Sequence, residues 1–159
     1  MSNNFNNIYK KTSIMKRIIF LIAIAGLTTT LFAQKEFLGN WTTVSDKTGE
    51  KESIVRIFKA TNGLYYGKIE KLLQPQYAGK NVLCDKCKGA DKDKPVEGLI
   101  IVRDMKYEDG KLVGGTVLDP DSGNTYYAAI TYDASTGKLT LRGSIDKRGI
   151  LGRSQTWIR

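Results

Sequence analysis

Two cysteines, Cys84 and Cys87, have a type and spacing that suggest chemistry. A Cys-x-x-Cys pair can bind a metal, cycle between dithiol and disulfide, or form a structural disulfide. Structural zinc takes four Cys or His ligands, and this pair supplies two of them. Asp85, Asp91 and Asp93, or a second chain, would have to complete the site. We therefore predict no metal at this position.

A redox role for Cys84 and Cys87 would need a particular setting. A thioredoxin-like centre places the pair at the start of a helix within a βαβ unit, where the helix dipole lowers the thiol pKa. No βαβ pattern surrounds this pair, although Lys86 and Lys88 would favour a thiolate. In an oxidising compartment the default is a disulfide, which we predict as a staple on the surrounding loop. Its loop is short, so it stabilises by less than the ~3 kcal/mol of a fifteen-residue loop.

The chain contains no histidine. This absence excludes Ser-His-Asp and Cys-His catalysis and any histidine-containing metal site within one chain. Paired carboxylates could hydrolyse glycosides, and Asp119 and Asp121 lie close together in sequence, with Asp104 and Glu108 upstream. The segment Asp-Pro-Asp-Ser-Gly is also ordinary turn chemistry, which we favour. We predict no catalytic residue and no cofactor.

The N-terminal segment has the layout of a secretory signal peptide. Lys16 and Arg17 precede an apolar run of about ten residues, which is too short for the ~20 of a membrane-spanning helix. We predict a signal peptide over residues 15–33 and a mature domain over residues 34–159 without a membrane span. Residues 1–14 are either a polar extension or, if translation starts at the second methionine, not translated.

The charge of the chain is basic but evenly spread. Its 159 residues include 25 basic and 16 acidic ones, for a net charge of +9. Four basic and no acidic residues fall within residues 1–33, which leaves +5 for the predicted mature domain. Its lysines are interspersed with Asp and Glu rather than gathered in one block. We therefore predict one ordinary basic domain that does not bind nucleic acid.

Short runs of alternating apolar and polar residues, separated by Gly, Asn and Asp, indicate an all-β fold. The pattern is clearest where Leu139, Leu141, Gly143 and Ile145 would face one way. Tight turns join most runs, which favours a single antiparallel up-and-down barrel without unpaired edges. A strongly bent sandwich is the alternative. About eight strands are predicted, over residues 39–44, 53–59, 64–72, 99–105, 115–118, 125–133, 138–145 and 154–159.

The two ends of the predicted barrel domain carry residues suited to closing it. Gly39 and Trp41 form a Gly-x-Trp at the head of the first strand, where glycine lets the backbone cross closely and the ring plugs the barrel. Trp157 lies in the last strand, between Arg153 and Arg159. We predict that one of these guanidinium groups stacks on Trp41 and closes the base. The alternative is that both tryptophans are simply core residues.

These terminal motifs resemble the signature of the lipocalin or calycin superfamily, a Gly-x-Trp on the first strand and an arginine near the end. The series GNWTT, YYGKI, CDKCKGADKDKPVEGL, GGTVLDPDSGNTYYA, LRGSI and LGRSQTW more closely resembles a family of small exported bacterial proteins known only as a domain of unknown function. This resemblance covers nearly the whole predicted mature chain. It implies a lipocalin-like barrel in the envelope of a Gram-negative bacterium, periplasmic or secreted, and no established reaction.

Tyrosines could line an internal pocket, because they combine apolar walls with a few hydroxyls. The candidates are Tyr65, Tyr66, Tyr126, Tyr127 and Tyr132, which could equally pair across strands. An eight-stranded barrel is either filled by side chains or wide enough for one small ligand. We predict a non-enzymatic exported barrel that binds a small hydrophobic molecule. The alternatives are a filled barrel that docks a partner through its disulfide-pinned loop, and a thiol-redox protein. The oligomeric state is left open.

Overall fold

The computed structural model describes residues 35–159, and eight antiparallel β-strands make up about half of them. Two short 3-10 helices, Pro75–Tyr77 and Gly89–Asp91, lie in the long connection between the third and fourth strands. The predicted signal peptide at residues 15–33 and the extension at residues 1–14 lie outside the described residues. The strands are β1 (Gly39–Val44), β2 (Lys51–Lys59), β3 (Tyr65–Leu72), β4 (Ile100–Glu108), β5 (Lys111–Asp119), β6 (Asn124–Asp133), β7 (Lys138–Ser144) and β8 (Gly152–Ile158).

The strands close into a barrel. Each strand pairs with the next one along the chain, and β8 returns to β1. The closing pairs run from Thr42 opposite Ile158 to Val44 opposite Thr156. Closure gives every strand two neighbours, so no strand leaves a row of unpaired backbone groups at an edge. The prediction of a single antiparallel up-and-down barrel is confirmed, and the bent sandwich is not formed.

Alternation of inner and outer residues explains why these segments form strands. Along β7, Leu139 and Leu141 are buried inside the barrel, and the lysine and threonine beside them are exposed. Ile145 was predicted to lie on the same face as Leu139 and Leu141, and this prediction is wrong. The strand ends at Ser144, and Ile145 is 67% exposed. The Ser144 hydroxyl donates a 2.9 Å hydrogen bond to the carbonyl oxygen of Asp146 at the start of the β7–β8 loop.

The fifth strand is longer than the predicted segment at residues 115–118. It begins at Lys111 and continues through Gly114, whose φ is 77°. The register between β5 and β6 shifts between Leu112 and Gly115. A bulge of this kind inserts an extra residue without ending the strand, and glycine adopts the required φ at low cost. A Gly-Gly pair that interrupts the alternation is therefore part of the strand.

Aromatic side chains fill one end of the barrel, which we call the closed end. The rings of Phe37 and Trp41 are buried there. Phe37 meets Tyr107 and Tyr132 edge to face, with ring centroids 6.1 Å and 6.3 Å away, and Trp41 meets Tyr132 at 6.3 Å. Edge-to-face pairs of this kind are a favourable arrangement for buried rings. The closed end is thus a packed core.

Candidate functional site

Trp41 seals the closed end of the barrel. Its ring is fully buried, and its Nε1 donates a 2.9 Å hydrogen bond to the carbonyl oxygen of Phe37. The Arg159 guanidinium lies 4.4 Å from the centroid of the ring, and its Nη2 donates a 3.1 Å hydrogen bond to the carbonyl oxygen of Leu38. Gly39 begins β1 with a φ of 109°, a conformation that favours glycine.

The other two residues of the predicted closure lie elsewhere. Trp157 is buried on β8, where it lies opposite Thr43 and Leu139 and forms part of an internal cavity. Arg153 lies at the far end of β8 from Arg159, where its Nη2 pairs with Oδ2 of Asp46 at 2.7 Å. The structure therefore places Arg159, and not Arg153, on Trp41.

The half of the barrel beyond Trp157 contains a cavity of about 850 Å³ that opens to solvent. Ile69, Val117 and Leu141 form part of its buried apolar wall. The opening, which we call the mouth, is surrounded by the β1–β2 loop, the β3–β4 connection, the β5–β6 turn and the β7–β8 loop. A volume of this size, with apolar and polar side chains together on the wall, is typical of small-molecule sites.

A β-bulge places an acidic residue in this cavity. In the pairing of β1 with β2, Thr43 lies opposite Ser53 and Val44 lies opposite Lys51, which leaves Glu52 as the extra residue. A bulge re-aims the side chains around it. Glu52 accordingly lines the cavity together with Ser53, although the strict alternation of a strand would put these neighbours on opposite faces.

Hydrogen bonds connect Glu52 to the barrel interior. Nε2 of Gln155 donates a 2.7 Å hydrogen bond to Oε2 of Glu52, and Nε1 of Trp157 donates a 2.8 Å hydrogen bond to Oε1 of Gln155. The hydroxyls of Thr43 and Ser53 lie 2.9 Å apart on the same wall, and the Ser53 backbone N–H donates to Oγ1 of Thr43. The apolar wall thus carries a fixed polar strip, formed by these five residues.

The mouth combines charged and exposed apolar side chains. The hydrogen bond from Arg153 holds the pKa of Asp46 below its usual value. Asp146 accepts hydrogen bonds from the backbone N–H groups of Leu151 and Ile150, which lower its pKa in the same way. This carboxylate fixes the shape of the β7–β8 loop while Ile150 and Leu151 remain 65% and 62% exposed.

The predicted disulfide joins Cys84 to Cys87, and the loop that carries it packs on the β5–β6 turn. Nζ of Lys86 donates a 2.8 Å hydrogen bond to the carbonyl oxygen of Asp121. Gly123 approaches the Lys86 backbone so closely that an added Cβ would clash with it. Both sulfurs are buried, with the cysteines 1% and 3% exposed. The loop that carries the disulfide therefore forms part of the mouth, through Asp85 and Lys86.

Replacing both Cys84 and Cys87 with alanine is expected to lower the free energy of unfolding by less than about 3 kcal/mol and to leave the barrel folded. The closed loop is short, and all eight strands lie outside it. Urea unfolding followed by circular dichroism measures the loss, and limited proteolysis should show new cleavage between Leu83 and Pro95. A double variant that fails to fold would show that the barrel depends on the staple.

The five candidate tyrosines separate into three groups. Tyr126 lines the cavity. Tyr65 and Tyr132 lie in the core towards the closed end, where burial raises the pKa of Tyr65. Tyr66 and Tyr127 lie on the outer face, Tyr66 stacked on a phenylalanine of β2 and Tyr127 exposed. Adjacent residues of a strand face opposite sides, so each Tyr-Tyr pair contributes one inward ring, and these two rings lie at different levels of the barrel.

Tyr77, Glu52 and Gln155 are among the cavity residues that the sequence predictions did not name. A signal for Gln155 was present, because it stands two residues before Trp157 and so shares its face of β8. Glu52 has no such signal. It stands three residues before the inward-facing Val55, so strict alternation would place it on the outer face, and only the bulge turns it inward. Tyr77 lies in a long connection, where no periodicity operates.

Two of the four carboxylates considered for glycoside hydrolysis, Asp119 and Asp104, have structural partners. Asp119 accepts hydrogen bonds from the backbone N–H of Asp121 and the hydroxyl of Ser122, as turn chemistry predicts. Asp104 accepts a 2.7 Å hydrogen bond from the Tyr66 hydroxyl on the outer face. Within residues 35–159, no three His, Cys, Asp or Glu side chains are grouped so as to hold a metal ion. No helix in the described part of the chain is long and apolar enough to cross a membrane.

Comparisons with known proteins agree with this fold. The model of a family described as "Uncharacterized protein conserved in bacteria (DUF2147)" matches residues 39–159. Among solved structures, protein HP1028 from Helicobacter pylori, described as belonging to the lipocalin family, is similar with a TM-score of 0.65. The two share 22% sequence identity, and the likeness covers 77% of this chain and 82% of that one. No curated protein matches the chain. The structural likeness supports a lipocalin-like fold.

Proposed function

The chain belongs to the bacterial DUF2147 family, and from this premise and its open lipocalin-like barrel we propose that it binds a small, largely apolar molecule. The observation that carries the proposal is the cavity of about 850 Å³ in the half of the barrel that side chains do not fill. A barrel built only as a scaffold would gain stability from filling this space. The cavity therefore favours a binding protein over the filled module that docks a partner through its loop.

The walls of the cavity supply the binding free energy. Ile69, Val117 and Leu141 present apolar surface that a ligand would cover, and each Å² of apolar surface removed from water contributes about 25 cal/mol. Trp157 adds an aromatic wall on the side of the closed end. Binding of this kind needs no catalytic group, so we assign the protein a carrier role and no reaction.

The cysteine pair supports a structural role within this proposal. Thiol–disulfide exchange needs access to a sulfur atom, and Cys84 and Cys87 are both buried. This burial disfavours the thiol-redox alternative. A disulfide is stable in oxidising compartments, so the pair is consistent with our proposal that the protein is exported and acts in the periplasm or outside the cell.

The proposal is tested with N-phenyl-1-naphthylamine, a neutral fluorophore that brightens in apolar surroundings. Titration of the purified protein should give saturable binding. Replacing Gly143 with leucine should weaken binding at least about tenfold, because Gly143 lines the cavity and the new side chain would occupy it. An added Cβ at Gly143 would approach Val117 no closer than 3.5 Å, so the backbone need not move.

The matched control is replacement of Thr140 with leucine, which adds a similar side chain to the exposed face of the same strand. Its affinity for the fluorophore should equal that of the unmodified protein. Absence of saturable binding would contradict the proposal. Equal affinity in the Gly143 and Thr140 variants would place the fluorophore outside the cavity and would also contradict it.

A further inference from the structure

We infer that the cavity selects amphiphiles whose polar group is a cationic amine, and that Glu52 is the residue that binds this group. The inference rests on the proposed function and names its ligand class. It starts from the β-bulge between β1 and β2, which leaves Glu52 unpaired with β1 and aligned with the cavity. Glu52 is half-buried, and a carboxylate that is partly withdrawn from water is costly unless it is hydrogen-bonded or paired with a charge.

The orientation of the neighbouring amide is fixed by a tryptophan. The indole Nε1 of Trp157 can only donate, so the amide group that faces it must be the Oε1 of Gln155. The amide Nε2 of Gln155 is therefore directed at Oε2 of Glu52. The amide oxygen and the amide nitrogen of Gln155 are both hydrogen-bonded within the protein. Gln155 therefore positions the carboxylate, and Glu52 is the residue that binds the ligand.

Glu52 retains capacity to accept further hydrogen bonds. An ionised carboxylate has about four acceptor positions, and the side chain of Gln155 occupies one of them. No ion pair to Glu52 is formed within residues 35–159. The neighbouring hydroxyls of Thr43 and Ser53 already bond to each other. A ligand ammonium group would supply both the missing hydrogen bonds and the opposite charge, and such charge-assisted bonds are the stronger kind.

The other charges around the cavity favour the same ligand. Its lining contains five acidic residues and three basic ones, although the chain as a whole is basic. Two of the three cations are engaged at the mouth, Arg153 with the carboxylate of Asp46 and Lys86 with the carbonyl oxygen of Asp121. The cavity is therefore a negative site on a positive protein, and it should repel a fatty acid carboxylate.

The test compares decylamine, 1-decanol and decanoic acid, which share one alkyl chain, as competitors of N-phenyl-1-naphthylamine at neutral pH. We expect the amine to bind most tightly, the alcohol less so and the acid most weakly, with about tenfold or more between amine and acid. In the Glu52→Gln variant the amine should lose about tenfold in affinity and the acid should lose none. Glutamine can still accept the Gln155 hydrogen bond, so the fold and fluorophore binding should persist.

Glu108→Gln is the matched control, because it makes the same substitution at an exposed residue that does not line the cavity. It should leave the ratio of amine to acid affinity unchanged within about twofold. Equal binding of amine and acid would overturn the inference, as would displacement by none of the three compounds or an equal effect of Glu108→Gln and Glu52→Gln. In each of these cases fluorophore binding would still support the carrier function. Loss of fluorophore binding in the unmodified protein would instead count against the carrier function itself.

Discussion

Replacing Trp41 with alanine is expected to lower the free energy of unfolding by about 3–5 kcal/mol, the usual cost of deleting a fully buried large aromatic side chain. The ring is 0% exposed and lies in the packed closed end, where little space allows the surroundings to relax. The substitution also removes the donor to the Phe37 carbonyl and the surface on which Arg159 stacks. A loss of this size is a large share of the stability of an ordinary domain.

Urea unfolding followed by far-ultraviolet circular dichroism measures this loss without relying on tryptophan fluorescence. The control is Arg159→Ala, which keeps Trp41 and its hydrogen bond and removes the stacked cation. It should cost about 0.5–2 kcal/mol, the range for a cation over an aromatic ring. A loss below about 1 kcal/mol in the Trp41 variant, or equal losses in the two variants, would show that the ring does not seal a packed end.

Replacing Gly115 with alanine is expected to cost about 3 kcal/mol, the upper range for forcing an extra methyl group into a packed site. An added Cβ would be buried against the neighbouring strand β4, too close to the carbonyl oxygen of Arg103, to the sulfur of Met105 and to the backbone carbon of Asp104. Two of these three atoms belong to the backbone. The strands themselves must therefore move apart, which a flexible side chain alone could not accomplish.

The control for this substitution is Gly143→Ala, at a second glycine on the inner side of the barrel. There the added Cβ would make ordinary contacts of 3.5 Å and 3.6 Å with Val117 and Tyr126. We expect its stability to stay within about 1 kcal/mol of the unmodified protein. For the Gly115 variant, the melting temperature should fall by roughly 10 °C, since about 1 kcal/mol corresponds to several degrees in a domain of this size. Similar melting temperatures for the two variants would contradict the prediction.

Local sequence patterns predicted the architecture because alternation is a property of neighbouring residues. Leu139 and Leu141 already mark an inner face, and tight turns between such runs leave few topologies other than a meander. Alternation does not say how far along the barrel axis an inward residue lies. Tyr65 and Tyr126 therefore looked equivalent in sequence, although one belongs to the core towards the closed end and the other to the cavity.

Position along a strand also explains which of the two arginines stacks on Trp41. Arg153 and Arg159 flank Trp157 closely in sequence, yet a strand rises ~3.3 Å per residue, which separates them by about 20 Å. They consequently lie at opposite ends of the barrel, one at the mouth and one on Trp41. The bulge at Glu52 is harder still to foresee, because one extra residue reverses the phase of the pattern and nothing in the local sequence marks it.

The pairing of β8 with β1 has a consequence for how the chain reaches its native state. The hydrogen bond from Arg159 to Leu38 joins residues 121 positions apart, so the contacts that complete the barrel are among the most distant in sequence. Such contacts carry a large loop-closure entropy and form late, which predicts a high contact order and slow folding. Until β8 arrives, β1 and β7 each present an open edge to other chains. The closure that protects the native barrel is thus missing from a partly folded chain, whose open edges favour aggregation.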